Sequence, residues 1–153
     1  MTQTRILFIC HGNICRSPMA EFVMKELVRR EKKENEFLIE SAATSYEEIG
    51  NPVYPPAKRE LAAHGISCSG KRARHLEKED YDTYDYLIGM ERMNLRNMER
   101  ICGGDKAGKM FLMLDFTDHP GDIDDPWYTG RFGEVYDQIL EGCRGLLKHC
   151  TGT

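Results

Sequence analysis

The feature that most narrows the possible folds is one run near the start of the chain: Ile6-Leu7-Phe8-Ile9-Cys10-His11-Gly12-Asn13-Ile14-Cys15-Arg16-Ser17-Pro18. Its four consecutive apolar residues, two of them β-branched, read as a short strand buried on both faces, as in a parallel sheet. Ser17 followed by Pro18 reads as a helix start, with the hydroxyl as cap and the proline at the first helical position. A strand that feeds a helix through a short loop is a βα unit, and the rest of the chain repeats that pattern.

Residues 18–30 carry Ala20, Val23, Met24, Leu27 and Val28 at helical spacing, which predicts a helix facing the sheet. A charged connection at 31–36 leads to a second strand at 37–43. Gly50-Asn51-Pro52 and Pro55-Pro56 break the chain before a helix at 56–64, which Gly65 stops as a C-terminal cap. The polar, basic segment 66–76 reads as a loop and 77–81 as a short helix or turn. A third strand within 84–90, a helix over 91–100 and a fourth strand at 110–114 follow. The loop at 115–130 is long and rich in Asp, Pro and Gly. The last helix, 131–149, bears one apolar stripe through Phe132, Val135, Tyr136, Ile139, Leu140, Cys143, Leu146 and Leu147. Strands alternating with helices predict an α/β fold, a doubly wound four-stranded parallel sheet with helices on both faces. At 153 residues the expectation is one domain spanning 1–153. In such sheets ligands bind beyond the carboxyl ends of the strands, where Cys10 lies.

The loop between strand and helix has its own chemistry. A turn wound tightly at a helix N-terminus aims backbone N–H groups inward and makes an anion cradle. Gly12 supplies backbone freedom and Asn13 tolerates left-handed geometry, so the loop can close. Cys10 is expected at the bottom of this cradle as thiolate, the nucleophilic form. A single helix dipole contributes at most ~2 kcal/mol, so several amides and the Ser17 hydroxyl must share the task. Arg16 offers a planar fork matched to two phosphate oxygens. The bland alternative, a core cysteine and a surface arginine, leaves the placement between an apolar strand and a Ser-Pro helix start unexplained.

Cleaving a phosphate monoester this way also requires a proton donor for the leaving oxygen. The 115–130 loop carries Asp115, Asp118, Asp122, Asp124 and Asp125. Asp125-Pro126-Trp127-Tyr128 stands out, because proline stiffens the placement and Trp127 and Tyr128 can wall a slot for a flat ring. Ser41, at the end of the second strand, reads either as a brace for the Cys10 loop or as an ordinary strand-end serine.

Composition removes other classes. The formal charge of −4 argues against a general nucleic-acid binder. No apolar run approaches the ~20 residues of a membrane span, and Met1-Thr2-Gln3-Thr4-Arg5 leads straight into a strand rather than a signal peptide. The six cysteines are therefore read as reduced thiols, with no Cys-x2-Cys pair to suggest zinc. The reading is a cytoplasmic protein with no metal, no cofactor, no nucleic-acid partner and no membrane partner. Gly103-Gly104-Asp105-Lys106-Ala107-Gly108-Lys109 mimics a nucleotide-binding loop, but Met110 replaces the required Ser or Thr and a strand follows instead of a helix.

Cys10-His11-Gly12-Asn13-Ile14-Cys15-Arg16-Ser17-Pro18, so close to the N-terminus, resembles the signature of the low-molecular-weight protein tyrosine phosphatases. Ser41-Ala42-Ala43, His64-Gly65, residues 90–94, residues 125–128 and the last helix extend the resemblance over nearly the whole chain. It implies the phosphotyrosine protein phosphatase I-like fold. It also implies a catalytic set of Cys10, Arg16 and Asp125, with Asp125 as general acid/base and Asp124 as runner-up. The phosphate-binding loop would comprise His11, Gly12, Asn13, Ile14, Cys15 and Ser17, with Ser41 as loop support. Tyr46, Glu47, Trp127 and Tyr128 would form the substrate pocket, and Cys15 would be the redox partner of Cys10. The implied partners are phosphotyrosine-containing proteins or aryl phosphates, with inorganic phosphate as product and inhibitor. Three positions depart from the family pattern. Lys71 stands where a His is common, Glu47 where many members carry an aromatic wall, and His11 where an apolar residue is frequent. Arsenate reduction in this fold needs two further cysteines near residues 80–90, where this chain has none. A non-catalytic phosphotyrosine-binding or redox-sensing module would need neither thiolate nor acid.

Overall fold

The computed structural model describes residues 3–152. Met1 and Thr2, the start of the segment read as leading straight into the first strand, and Thr153 lie outside that range. Strand β1 (Thr4–Cys10) pairs in parallel with β2 (Phe37–Ala43) on one side and β3 (Tyr86–Gly89) on the other. β4 (Met110–Leu112) extends the sheet to the order β2-β1-β3-β4. β1 is therefore interior and apolar on both faces. Ile6 and Phe8 pack into the core shared with α1 (Arg16–Arg30) and α6 (Phe132–Thr151). Leu7 and Ile9 pack into the opposite core with Met98 and Cys102 of α4 (Arg92–Cys102). That two-sided burial is why the strand reads as an unbroken apolar run.

Strand order reverses at β1: the chain passes outward to β2 and then crosses to β3. The crevice at that switch opens above the carboxyl end of β1, at Cys10. α2 (Pro55–Ala63) packs on α1 and α6, the short α3 (Asp80–Thr83) precedes β3, and the single turn α5 (Pro126–Thr129) brings Trp127 and Tyr128 to the crevice. Gly65, at φ +75°, ends α2, with its N–H on the Ala62 carbonyl and that of Ile66 on Leu61. Gly103 closes α4 in left-handed geometry, so the glycines of the nucleotide-loop mimic form a turn into β4.

Two expectations are corrected. The fourth strand ends at Leu112 rather than 114, because Met113–Phe116 folds into a 3-10 turn beneath α6. Gly142 and Gly145 allow that approach. A Cβ on Gly142 would stand 2.8 Å from the Met113 carbonyl oxygen, and one on Gly145 would collide with the Phe116 carbonyl. The 115–130 loop is also not wholly irregular, since Pro126–Thr129 forms a helical turn.

Candidate active site

α1 begins at Arg16 with Cys15 at the N-cap position and no side chain capping it, so Ser17 is not the cap the sequence suggested. Its hydroxyl instead lies 3.0 Å from Cys10 Sγ. Pro18 is tolerated in this first turn because the N–H it lacks would have no helical partner there. Asn13 adopts φ +59°, the left-handed geometry expected of the loop, and its backbone N–H reaches Cys10 Sγ at 3.3 Å.

The loop is braced from behind by a relay. Asn13 Nδ2 donates to Ser17 Oγ (2.8 Å) and to Ser41 Oγ (2.9 Å), while its Oδ1 accepts from the Arg74 N–H at 3.1 Å. Ser41 in turn donates to Glu21 Oε1 at 2.6 Å. Glu21 is 4% exposed and is held by Lys25 at 2.6 Å and Lys71 at 3.4 Å. Lys71 Nζ also donates to the Ser41 carbonyl at 2.9 Å. The ionised end sets the polarity of the relay. Glu21 accepts the Ser41 hydrogen bond, Asn13 donates to both hydroxyl oxygens, and the Ser17 O–H is left to point at the sulfur. Lys71 thus supplies a cation to the brace, and burial pushes its ammonium below the usual range against the pull of Glu21. Burial, reinforced by the negative charges of Cys10 and Asp125, pushes the neighbouring Cys15 thiol far up, so it stays protonated.

Arg16 is buried at the bottom of the crevice. Its Nη1 donates to the Ile123 carbonyl at 2.8 Å, and Nη2 lies 3.3 Å from Glu91 Oε1 and 3.5 Å from Asp125 Oδ2. Burial alone would lower its pKa, but the charges of Cys10, Asp125 and Glu91 outweigh that and raise it. Glu91 is placed by Asn94, whose Oδ1 accepts the Met90 and Glu91 N–H groups. Asp125 caps α5 by accepting the Trp127 N–H on Oδ1 at 3.0 Å, which leaves Oδ2 facing the guanidinium. Asp124, the runner-up acid, is directed to a neighbouring hollow instead.

These groups share one cleft of about 150 Å³. Cys10, Gly12, Ile14, Cys15 and Arg16 form its inner part, and Asp125, Trp127 and Tyr128 one wall. His11, Glu47 and Glu48 complete the mouth, where His11 Nε2 and Glu47 Oε2 lie 2.7 Å apart. The Trp127 ring rests against Tyr54, centroids 4.5 Å apart. Tyr46 is a correction: it is not among the lining residues, because its ring stacks on His75 at 3.7 Å and stands 73% exposed. A broader trough of about 810 Å³, lined partly by Glu21, Lys25 and Lys71, holds no thiol. Among the described residues no cluster of three or more His, Cys, Asp or Glu could hold a metal ion, and no helix is long and apolar enough to cross a membrane.

Sequence reading missed Glu21, Glu48, Glu91 and Tyr54. Only Glu21 carried a local signal, being an acid inside the apolar face marked by Ala20, Val23 and Met24. The others are joined to the site across long stretches of chain.

The family model for low molecular weight phosphotyrosine protein phosphatase matches residues 5–152. Over 144 residues the chain is 36% identical to the low molecular weight protein-tyrosine-phosphatase YfkJ of Bacillus subtilis, covering 93% of this chain and 92% of that protein. It is 40% identical over 148 residues to the low molecular weight phosphotyrosine protein phosphatase of Gallus gallus, covering 94% and 93%. The crystal structure of YfkJ superposes with a TM-score of 0.96 at 34% identity, over 99% of this chain and 97% of that one. With a cysteine cradled at a helix N-terminus and these matches along nearly its full length, the chain belongs to the low molecular weight phosphotyrosine protein phosphatase family.

Proposed function

We propose that this chain hydrolyses phosphotyrosine and aryl phosphate monoesters through a phosphocysteine intermediate on Cys10, as a single domain spanning 1–153. The observation that carries the reading is the convergence on one sulfur. A serine hydroxyl and a backbone N–H address Cys10 Sγ, while Arg16 and Asp125 share its cleft. In the first step the Cys10 thiolate attacks phosphorus opposite the phenolate oxygen. The P–O bond breaks as the Asp125 carboxyl gives its proton to the departing oxygen. In the second step the Asp125 carboxylate takes a proton from water, the hydroxyl adds to phosphorus and the S–P bond breaks. Inorganic phosphate is released and the thiolate is restored. Arg16 uses the N–H groups not engaged by Ile123 and Glu91, together with the loop amides, to bind the equatorial oxygens where charge spreads. Inorganic phosphate, fitting the same cradle, inhibits as product.

Trp127, backed by Tyr54, and Ile14 give the cleft apolar walls suited to a flat ring. Cys15 acts as redox partner: a peroxide oxidises the Cys10 thiolate to sulfenic acid, which condenses with the Cys15 thiol to a disulfide and water. The reduced thiols this chemistry needs fit a cytoplasmic setting. The test is a pH–rate profile on p-nitrophenyl phosphate. An acidic-side bell is expected for the unaltered chain and no turnover for Cys10→Ser. Near-normal turnover by Cys10→Ser would overturn the assignment.

A further inference from the structure

The inner cleft and its mouth carry opposite charge. Inside, Arg16 is the only ammonium or guanidinium among the residues lining the cleft, and it is 1% exposed. At the mouth stand the carboxylates of Glu47 and Glu48. An adjoining hollow, which shares His11, Asp125 and Tyr128 with the cleft, adds Glu91 and Asp124 and holds no Lys or Arg. The large apolar side chains that stand exposed among the described residues are Tyr46, Ile49, Met93, Trp127 and Tyr128. Each lies in these two hollows or beside Glu47 and Glu48. Elsewhere among the described residues such side chains are buried or half-buried. Exposed apolar side chains beside carboxylates, adjoining the cleft, have the composition of a docking surface.

From this we infer that the mouth selects phosphotyrosine in protein segments whose flanking residues are basic, with Glu47, Glu48 and Asp124 as specificity-determining residues. The inference rests on the phosphatase reading of the cleft. The phosphoryl group reaches Arg16 past the carboxylates. Flanking Lys or Arg offsets the repulsion that the mouth exerts on a dianion, and flanking Asp or Glu adds to it. Met93 and Tyr128 lie where the aliphatic stems of those basic residues would run. A second copy is the poorer occupant, because two such faces would oppose like charges.

The experiment compares kcat/KM for synthetic phosphotyrosine peptides that differ only in flanks of Lys and Arg, of Ala, or of Asp and Glu. p-Nitrophenyl phosphate serves as the reference substrate. Basic flanks are expected to exceed acidic ones about tenfold at low salt. The ratio should fall toward unity near 0.5 M salt, where screening acts over only a few Å. The double variant Glu47→Lys, Asp124→Lys should reverse the order of the peptides. Equal rates for the three peptides, or a preference for acidic flanks, with the reference substrate still cleaved, would overturn the inference. A kcat/KM that declines as enzyme concentration rises would assign the face to a second copy, and would overturn it too. Failure to cleave p-nitrophenyl phosphate at all would instead bring down the phosphatase reading, and this inference with it.

Discussion

The two loops that meet over the cleft are held in opposite ways. The Cys10 loop is buried and over-determined: the relay through Asn13, Ser17 and Ser41 ends on Glu21 and its two lysines behind the sheet. The Asp125 loop is anchored at Ile123, which is buried with its N–H on the Met90 carbonyl and its own carbonyl accepting from Arg16. Beyond Pro126 it opens to solvent, with Trp127 resting on Tyr54 and Tyr128 84% exposed. On the proposed mechanism the difference follows from what each loop would do. Dipoles that stabilise charge work only if they are already oriented, so the nucleophile is fixed from many sides. An acid that serves first a leaving oxygen and then a water needs reach more than rigidity.

The largest effect should come from the exposed loop. Asp125→Asn retains the cap on Trp127 but has no proton to give, so kcat should fall about 10²–10⁴-fold while the thermal midpoint stays unchanged. A matching loss of stability would show that Asp125 is structural and erase the contrast between the loops. Next comes the difference between the two cysteines of the buried loop. Burial and the neighbouring negative charges raise the Cys15 pKa, so its thiol stays protonated through the neutral range. Iodoacetamide at pH 7 should therefore label Cys10 about tenfold faster than Cys15, or more, with protection by inorganic phosphate. Peptide mapping that found Cys15 modified first would mean that the relay serves the wrong sulfur. The smallest effect tests the brace. Ser41→Ala strands the Asn13 amide and removes a donor from Glu21, which should cost about 1–3 kcal/mol of stability, read from the denaturant midpoint. A drop in kcat of several-fold should accompany it; unchanged kcat with lost stability would confine the relay to folding.

Much of this was legible in the order of residues. The strand, the cradle and the apolar stripe of α6 depend on local periodicity, and the positions of Cys10, Arg16 and Asp125 depend on motif spacing. What escaped notice depends on groups far apart in the chain. Ser17 reads as a cap because Ser-Pro commonly starts helices, yet its hydroxyl is taken by Asn13 and Cys10. The family resemblance makes Tyr46 a pocket residue beside Glu47, yet its ring stacks on His75 instead. Nothing local in the apolar stripe of α6 marks Gly142 and Gly145 as the points where the Met113–Phe116 turn comes closest.

Local chain chemistry was enough to dictate a parallel α/β sheet and a cysteine in an anion cradle at the end of its first strand, because strand, turn and helix preferences act over a few residues. The tertiary structure alone decided which carboxylates meet Arg16, which cation stands behind Ser41 and which aromatics reach the cleft. Those choices rest on contacts such as Arg16 with Ile123 and Glu91, or Ser41 with Glu21. No local propensity encodes them, since each exists only once the sheet has brought distant segments to one edge.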